Sequence, residues 1–151
     1  MALVPKFTQA QIKARIDNFI KAIEKRQIQR LQYLGEQCVT KARLDGDYMD
    51  QTGNLRSSIG YVVFSNGTAI HQSFEQIGAG LKGKNEGRAV AFKAGAKFKD
   101  GICLVVVAGM NYALAVESRG RDVLTSTELF AKQEMPKILA QLKSNINSAL
   151  A

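Results

Sequence analysis

Few residues in this sequence have the type and spacing that catalysis or metal binding requires. His71 is the only histidine, and the two cysteines, Cys38 and Cys103, lie within apolar patterns. Covalent catalysis needs a nucleophile beside a base, and a metal site needs several such ligands together. We therefore expect His71 to be a surface residue of a strand and the cysteines to be reduced core thiols.

The closest group of carboxylates is formed by Asp45, Asp47 and Asp50. A calcium loop needs alternating ligands, a later glycine and a terminal glutamate, and the Asp45-Gly46-Asp47 spacing does not fit that pattern. These aspartates follow a long helical pattern and precede β-type sequence, so we expect turn and helix-cap residues. The sequence thus predicts neither a catalytic site nor a metal site.

The stretch from Gly78 to Lys84 matches two phosphate-binding patterns, GxGxxG and the front of GxxxxGK. Both motifs direct backbone N–H groups and a helix N-terminus at a phosphate. Here the preceding strand pattern is weak, and no convincing helix pattern continues through Gly87. Asn85 also stands where a P-loop has the Ser or Thr that binds magnesium. We therefore expect no nucleotide cofactor.

The composition fits one domain spanning residues 1–151. The net charge of +8 favours contact with acidic surfaces or nucleic acid. No apolar run approaches the roughly 20 residues of a membrane span, and the stretch from Met1 to Lys6 lacks the apolar core of a signal peptide. We expect synthesis in the cytoplasm and no association with a membrane.

A long N-terminal helix is predicted by a capping box and an apolar stripe. Thr8 and Gln11 have the capping-box spacing, and apolar residues then recur at steps of three and four from Ile12 to Ala42. A single helix of this length exceeds the diameter of a small core. We expect either a bend near Gly35 or an end that projects to a neighbour.

A second helix is predicted near the C-terminus. Thr125 and Glu128 repeat the capping-box spacing, and an apolar stripe runs from Leu129 to Ile146. Because Pro136 lies inside this pattern, we expect a kink or a break there.

Strand patterns occupy the middle of the chain. β-forming residues at Ile59 to Ser65 precede Asn66-Gly67, a strong hairpin signal, and a return strand is expected from Thr68 to about Gln76. The apolar run from Ile102 to Ala108 predicts a strand that is covered on both faces and central in its sheet. Asp122 to Leu124 is interpreted as a last short strand.

The segment 78–101 is rich in glycine and basic residues and is interpreted as one flexible basic loop. A short helix is expected at Tyr112 to Glu117. Together these elements predict an α+β fold, in which an antiparallel sheet of three to four strands packs against a long N-terminal helix and a C-terminal helix.

Two short motifs carry a resemblance to a known family. The first is Asp50-x-Thr52-Gly53-x-Leu55-Arg56-x-Ser58-Ile59, which follows the long helix and precedes the hairpin; the second is Asn111-Tyr112-Ala113 with Val116-Glu117. In this order the motifs resemble the tail-completion (neck) proteins of long-tailed bacteriophages, over residues 12–146. The chain departs from the family by having Ser118-Arg119-Gly120 where Gly-Thr is common, and by a longer basic segment at 78–101.

The resemblance implies a structural virion protein that forms a ring, usually of six copies, between the head connector and the tail. DNA passes through such a ring, and neighbours would include a connector or stopper protein and a tail terminator or tail tube protein. On this basis Arg56 and Glu117 are a candidate ion pair within or between copies. The predicted subunit contacts are Thr52, Asn54, Arg56, Tyr112 and Glu117. The predicted DNA-facing residues are Lys82, Lys84, Arg88, Lys93, Lys97 and Lys99.

Three other functions remain open from the sequence. A tail terminator or head-closure subunit would share the same partners and differ in position. A separate nucleic-acid-binding module would need aromatic residues interleaved with basic ones on a sheet, whereas Tyr61 and Phe64 fall on opposite faces of their strand. An enzyme is the least favoured, because no nucleophile–base pair or metal set is present.

Overall fold

The computed structural model describes all 151 residues and has the α+β architecture that the sequence predicts. One three-stranded antiparallel sheet packs with a long N-terminal helix and a C-terminal helix. The elements along the chain are α1 (Gln9–Asp45), α2 (Asn54–Ser58), β1 (Ile59–Ser65), β2 (Thr68–Ser73), α3 (Leu81–Gly95), β3 (Ile102–Ala108), α4 (Ala113–Ser118) and α5 (Thr125–Leu150).

Helix α1 begins at the predicted capping box. The Gln11 backbone N–H donates to Thr8 Oγ1 at 3.3 Å, and the Thr8 N–H donates to Gln11 Oε1 at 2.9 Å. The helix continues for 37 residues, and its buried residues begin only at Leu34. Gly35 makes room for Tyr61, because a Cβ at this position would lie 2.6 Å from the Tyr61 ring. The N-terminal end of α1 therefore projects beyond the core.

The hairpin forms at the predicted turn. Asn66 and Gly67 both have positive φ, at 49° and 80°, as a two-residue hairpin loop requires. Strand β2 ends at Ser73, somewhat earlier than predicted.

The prediction that Ile102–Ala108 is a central strand is wrong. The strand order is β2-β1-β3, so β1 is central and β3 is an edge strand paired only with β1. The run is apolar on both faces because one face packs with residues of α1 and the other with residues of α3. A strand whose two faces are buried can still have one edge without a hydrogen-bonded neighbouring strand. The expected last strand at Asp122–Leu124 does not form either.

Two apolar clusters lie on opposite faces of β1. Tyr61 and Val63 pack in a cluster with residues of α1, α2 and α4, whereas Val62 and Phe64 pack with Ala91 of α3. Alternate residues of a strand point to opposite faces, which explains why every residue of β1 before Ser65 is buried.

The interpretation of segment 78–101 as a flexible loop is wrong, because α3 occupies Leu81–Gly95. Glycine disfavours helices, which is why the sequence pattern failed to indicate one. The small residues Gly83, Gly87, Ala91 and Gly95 recur every fourth position and are all buried. This small-residue face lies directly against neighbouring elements, since added Cβ atoms would lie 1.9 Å from Asn54 O and 2.3 Å from Ser58 O at Gly83 and Gly87.

Helix α5 continues through Pro136, so the predicted break does not occur. It packs along α1, and Arg30 of α1 donates a hydrogen bond to the Gln141 side chain. Only Thr127 and Leu142 of α5 are buried. The helix is thus held mainly through one neighbour and leaves much apolar surface uncovered.

We predict that Gly87→Ala destabilises the fold by about 1–3 kcal/mol, the usual cost of overpacking. The added methyl group would lie 2.3 Å from the Ser58 carbonyl oxygen, and Gly87 is also in contact with Gly109. In an uncrowded helix the same change would stabilise by roughly 0.5–1 kcal/mol, so the sign of the effect is informative. Urea unfolding measures the difference.

The matched control is Asn85→Ala, which lies on the exposed side of the same helix. This variant should stay within about 0.5 kcal/mol of the parent or be slightly more stable. A Gly87→Ala protein more stable than the parent would contradict the close packing of α3.

Candidate functional site

The segment from Tyr48 to Ile59 forms a polar junction between α1, α2 and the sheet. The Asp50 carboxylate accepts the backbone N–H groups of Leu55 at 3.3 Å and Arg56 at 2.8 Å, which caps the start of α2. Gly53 has φ 76°, and a Cβ there would lie 2.0 Å from the Ile77 carbonyl oxygen. The expected cap role of Asp50 is confirmed. Position 53 requires glycine, because its φ is positive and a side chain would collide with the Ile77 carbonyl.

Arg56 is folded into this junction. Its guanidinium carbon lies 4.8 Å from the centre of the Tyr48 ring, and it donates to the carbonyl oxygens of Arg43 at 3.2 Å and Gly46 at 3.3 Å. These carbonyls belong to the end of α1, where a cation is favourable. Arg56 therefore fastens the C-terminal end of α1 to α2.

Arg43 makes the reciprocal contacts. Its guanidinium donates to the carbonyl oxygens of Arg56 at 3.2 Å and Ile59 at 2.8 Å, and it pairs with the Glu75 carboxylate at 2.9 Å. The sequence pattern did not indicate this role of Arg43. The contacts join residues far apart in the chain, so helix periodicity alone offers no signal for them.

Ser57 and Ser58 are fully buried and were also missed. Ser57 Oγ accepts the Ile77 N–H at 2.7 Å, and Ser58 Oγ accepts the Met110 N–H at 3.2 Å while donating to the Leu55 carbonyl at 2.8 Å. Each hydroxyl satisfies a backbone group that would otherwise be unpaired. The sequence signal that could have indicated this buried role is the pair of small hydroxyl residues immediately before the apolar residue Ile59.

Asn54, the first residue of α2, lies against the start of α3. Its side-chain oxygen accepts the Gly83 N–H at 3.0 Å, and the Asn54 backbone lies against Gly83. The Gly83 N–H group is therefore already hydrogen-bonded, and the Asn54 backbone occupies the space that a phosphate would need at this glycine-rich turn. Thr52 is exposed, and its hydroxyl accepts only the Asn54 N–H at 3.4 Å.

Glu117 caps α5. One carboxylate oxygen, Oε1, accepts the N–H groups of Leu124 at 3.1 Å and Thr125 at 2.7 Å, together with the Thr125 hydroxyl at 2.6 Å. Partial burial alone would raise the pKa of Glu117, but these hydrogen bonds outweigh it and lower the pKa below the ordinary 4.5. The predicted capping box of Thr125 with Glu128 does not form, because Glu117 supplies the cap.

The candidate ion pair between Arg56 and Glu117 does not form within the chain. Arg56 donates to carbonyls at the end of α1, and Glu117 accepts from the start of α5. Of the five predicted subunit contacts, Asn54, Arg56 and Glu117 are thus engaged inside their own chain. Thr52 and Tyr112 remain on the surface.

The six basic residues predicted to face DNA lie along α3 and in the turn that follows it. Lys82 is paired with Glu86 at 3.7 Å across one helical turn, and Arg88 lies over the Phe92 ring at 5.6 Å. Five of the six are exposed and Lys84 is half-buried. Because the small-residue face of α3 is buried, its basic side chains lie toward solvent on an ordered helix.

The remaining titratable residues form no joint site. His71 lies on β2 with its ring centre 5.7 Å from that of Tyr61, and the two cysteines are unpaired. Burial raises the pKa of the Cys38 thiol to about 11, which keeps it protonated. No group of three or more His, Cys, Asp or Glu side chains is close enough to hold a metal ion.

None of the helices combines the length and hydrophobicity that crossing a membrane requires. No family model, curated protein or solved structure matches this chain.

We predict that Glu117→Gln destabilises the protein near neutral pH, and that the difference disappears in acid. A carboxyl group whose pKa is lower in the folded state contributes stability above its unfolded pKa. That contribution is lost as the pH falls through the folded pKa, which lies below 4.5. Urea unfolding of both proteins across this range tests the cap.

Glu128→Gln is the matched control, because Glu128 lies one turn into α5 and pairs only with the exposed Lys132. It should change stability much less at neutral pH. Equal effects of the two substitutions would contradict the assignment of Glu117 as the cap of α5.

Proposed function

We propose that this protein is a structural component of a phage neck, forming a ring that joins the head connector to the tail. The observation that carries the proposal is the apolar surface left uncovered on a projecting helix pair. Ile12, Ile16 and Ile20 of α1 are each 43% or more exposed, as are Leu139 and Leu150 of α5. A chain assembled with its neighbours would cover this surface.

The resemblance to tail-completion proteins supports the proposal independently of the exposed surface. Its first motif forms the junction in which Asp50 and Arg56 fasten α1 to α2, and its second leads into the Glu117 cap of α5. These motif residues therefore hold the two long helices in place. We expect six copies, virion localisation and no enzymatic activity, with packing and charge as the chemistry.

The basic side of α3 supports a surface that faces DNA. Such a surface would contact phosphates without recognising the base sequence, and its affinity for DNA would fall as the salt concentration rises. The same helix is the observation that favours a separate nucleic-acid-binding module as the second candidate. Tyr61 argues against a stacking platform because it is fully buried. A tail terminator or head-closure subunit would use the same surfaces at a different position.

We predict that disabling the gene in its phage or prophage yields DNA-filled heads and finished tails that remain separate. The heads and tails assemble without the joint, so each should appear complete by electron microscopy of the lysate. Supplying the chain from a plasmid should restore joined particles. Normal infectious particles without the chain would remove it from the neck.

We predict that reversing the charge of Lys82, Arg88 and Lys93 to Glu lowers the fraction of particles that retain DNA. Each of these side chains is exposed on α3, so the fold should persist. For the purified protein, each phosphate contact removed should reduce the salt slope of duplex binding by about 0.9. Fluorescence titration with duplex DNA at several salt concentrations measures this slope.

The matched control reverses Lys132, Lys137 and Lys143 of α5, which changes the net charge by the same amount. For the purified protein, this control should leave the salt slope of duplex binding near the parent value. If both triple variants behave alike, or if reversing all six predicted DNA-facing residues changes neither assembly nor DNA retention, the DNA-facing role of α3 is wrong.

A further inference from the structure

An apolar groove of about 700 Å³ lies between α1, β3 and α5. Its floor and walls include Leu34, Leu104, Val106, Ile138 and Leu139. The groove runs beside the edge strand β3, which pairs with β1 on one side only. An apolar edge strand beside an open groove is a surface that accepts another extended segment.

The seven residues before Thr8 form an arm that has no partner in its own chain. Met1, Leu3, Val4 and Phe7 are 60% or more exposed, and no backbone hydrogen bond ties the arm to the fold. In an extended arm the alternate residues Met1, Leu3, Pro5 and Phe7 share one face, and all are apolar. The arm therefore has the two features that a segment binding in the groove needs, which are a narrow apolar face and free backbone groups.

These seven residues cannot fill the groove of their own chain. Gln27 is the first groove residue on α1, and about 27 Å of helix separate it from Gln9. Seven extended residues span at most about 25 Å, so residues Met1–Phe7 do not reach into the groove of their own chain. The projecting end of α1 carries the arm away from its own groove.

Charge permits the contact between copies. The chain carries a net charge of +8, yet no lysine or arginine lines the groove, and Glu128 is its only charged residue. An arm containing Lys6 therefore meets no cation inside the groove.

We propose that the arm of one copy, residues Met1–Phe7, binds in the groove between β3 and α5 of a second copy. Arm and groove are different surfaces, so each copy gives one contact and receives another, as a closed ring requires. The proposal deepens the neck function and rests on it for the number of copies in the ring, whereas the arm contact itself stands independently of any position in a virion.

The test replaces Phe7 with the photoreactive residue p-benzoylphenylalanine and mixes isotopically heavy and light full-length chains at the highest soluble concentration. Mass spectrometry should find heavy–light crosslinks from position 7 to groove residues such as Leu104 or Ile138. The same residue at Tyr33, which is 65% exposed against 60% for Phe7, is the control and should give no crosslinks to the groove.

A groove variant separates binding from folding. Leu139→Asp places a charge in the wall at a position that is 57% exposed, so the fold should persist, and the crosslink yield should fall about tenfold or more. Leu114→Asp, 77% exposed and outside both the groove and the helix pair, should leave the yield unchanged. Circular dichroism confirms that both variants are folded.

Two results would overturn the proposal: crosslinks from position 7 that map only within one chain or outside the groove, or a heavy–light yield no higher than that of the Tyr33 control. The outcome is distinct from that of the gene disruption. Arm-to-groove crosslinks together with normal gene-disrupted particles would keep the contact between copies and reject the neck.

Discussion

Helix α3 packs closely against α2 and the sheet through its face of small residues. Gly87 lies between the Ser58 carbonyl and Gly109, with no room for a side chain. This contact turns the basic side chains of α3 outward. It also brings Asn54 against the helix start, so that a glycine-rich turn resembling a phosphate site is filled by the protein itself. Burial of the small-residue face outweighs the poor helix propensity of glycine.

Much of the polar chemistry in this chain serves to join elements. Asp50, Arg56 and Glu117 each satisfy helix ends, and the serine pair Ser57-Ser58 binds backbone groups at Ile77 and Met110. These side chains already have hydrogen-bond partners within the chain, so they set the orientation of α1 and α5 and are not free to bind a substrate. The surface that has no partner within the chain lies on the arm, the projecting helix pair and the edge of β3. That division favours a protein whose work is assembly.

The fold class, the capping box at Thr8 and the hairpin at Asn66-Gly67 were predictable because each depends on local spacing and backbone preference. Helix α3 was not, because its stability comes from contacts with residues distant in sequence. The edge position of β3 was missed for a related reason, since an apolar run reports covered faces and says nothing of hydrogen-bonded edges. The roles of Arg43, Arg56 and Glu117 likewise depend on tertiary contacts that no short pattern contains.

Under the proposed neck function, the decisive measurement is cryo-electron microscopy of the virions whose genome encodes this chain. The proposed function predicts a ring of copies of this fold between head connector and tail, with α3 toward the channel. Projecting α1–α5 pairs should be covered by neighbouring subunits. Virions in which the chain is absent, or in which it lies away from the head–tail joint with its helix pair exposed, would rule this function out.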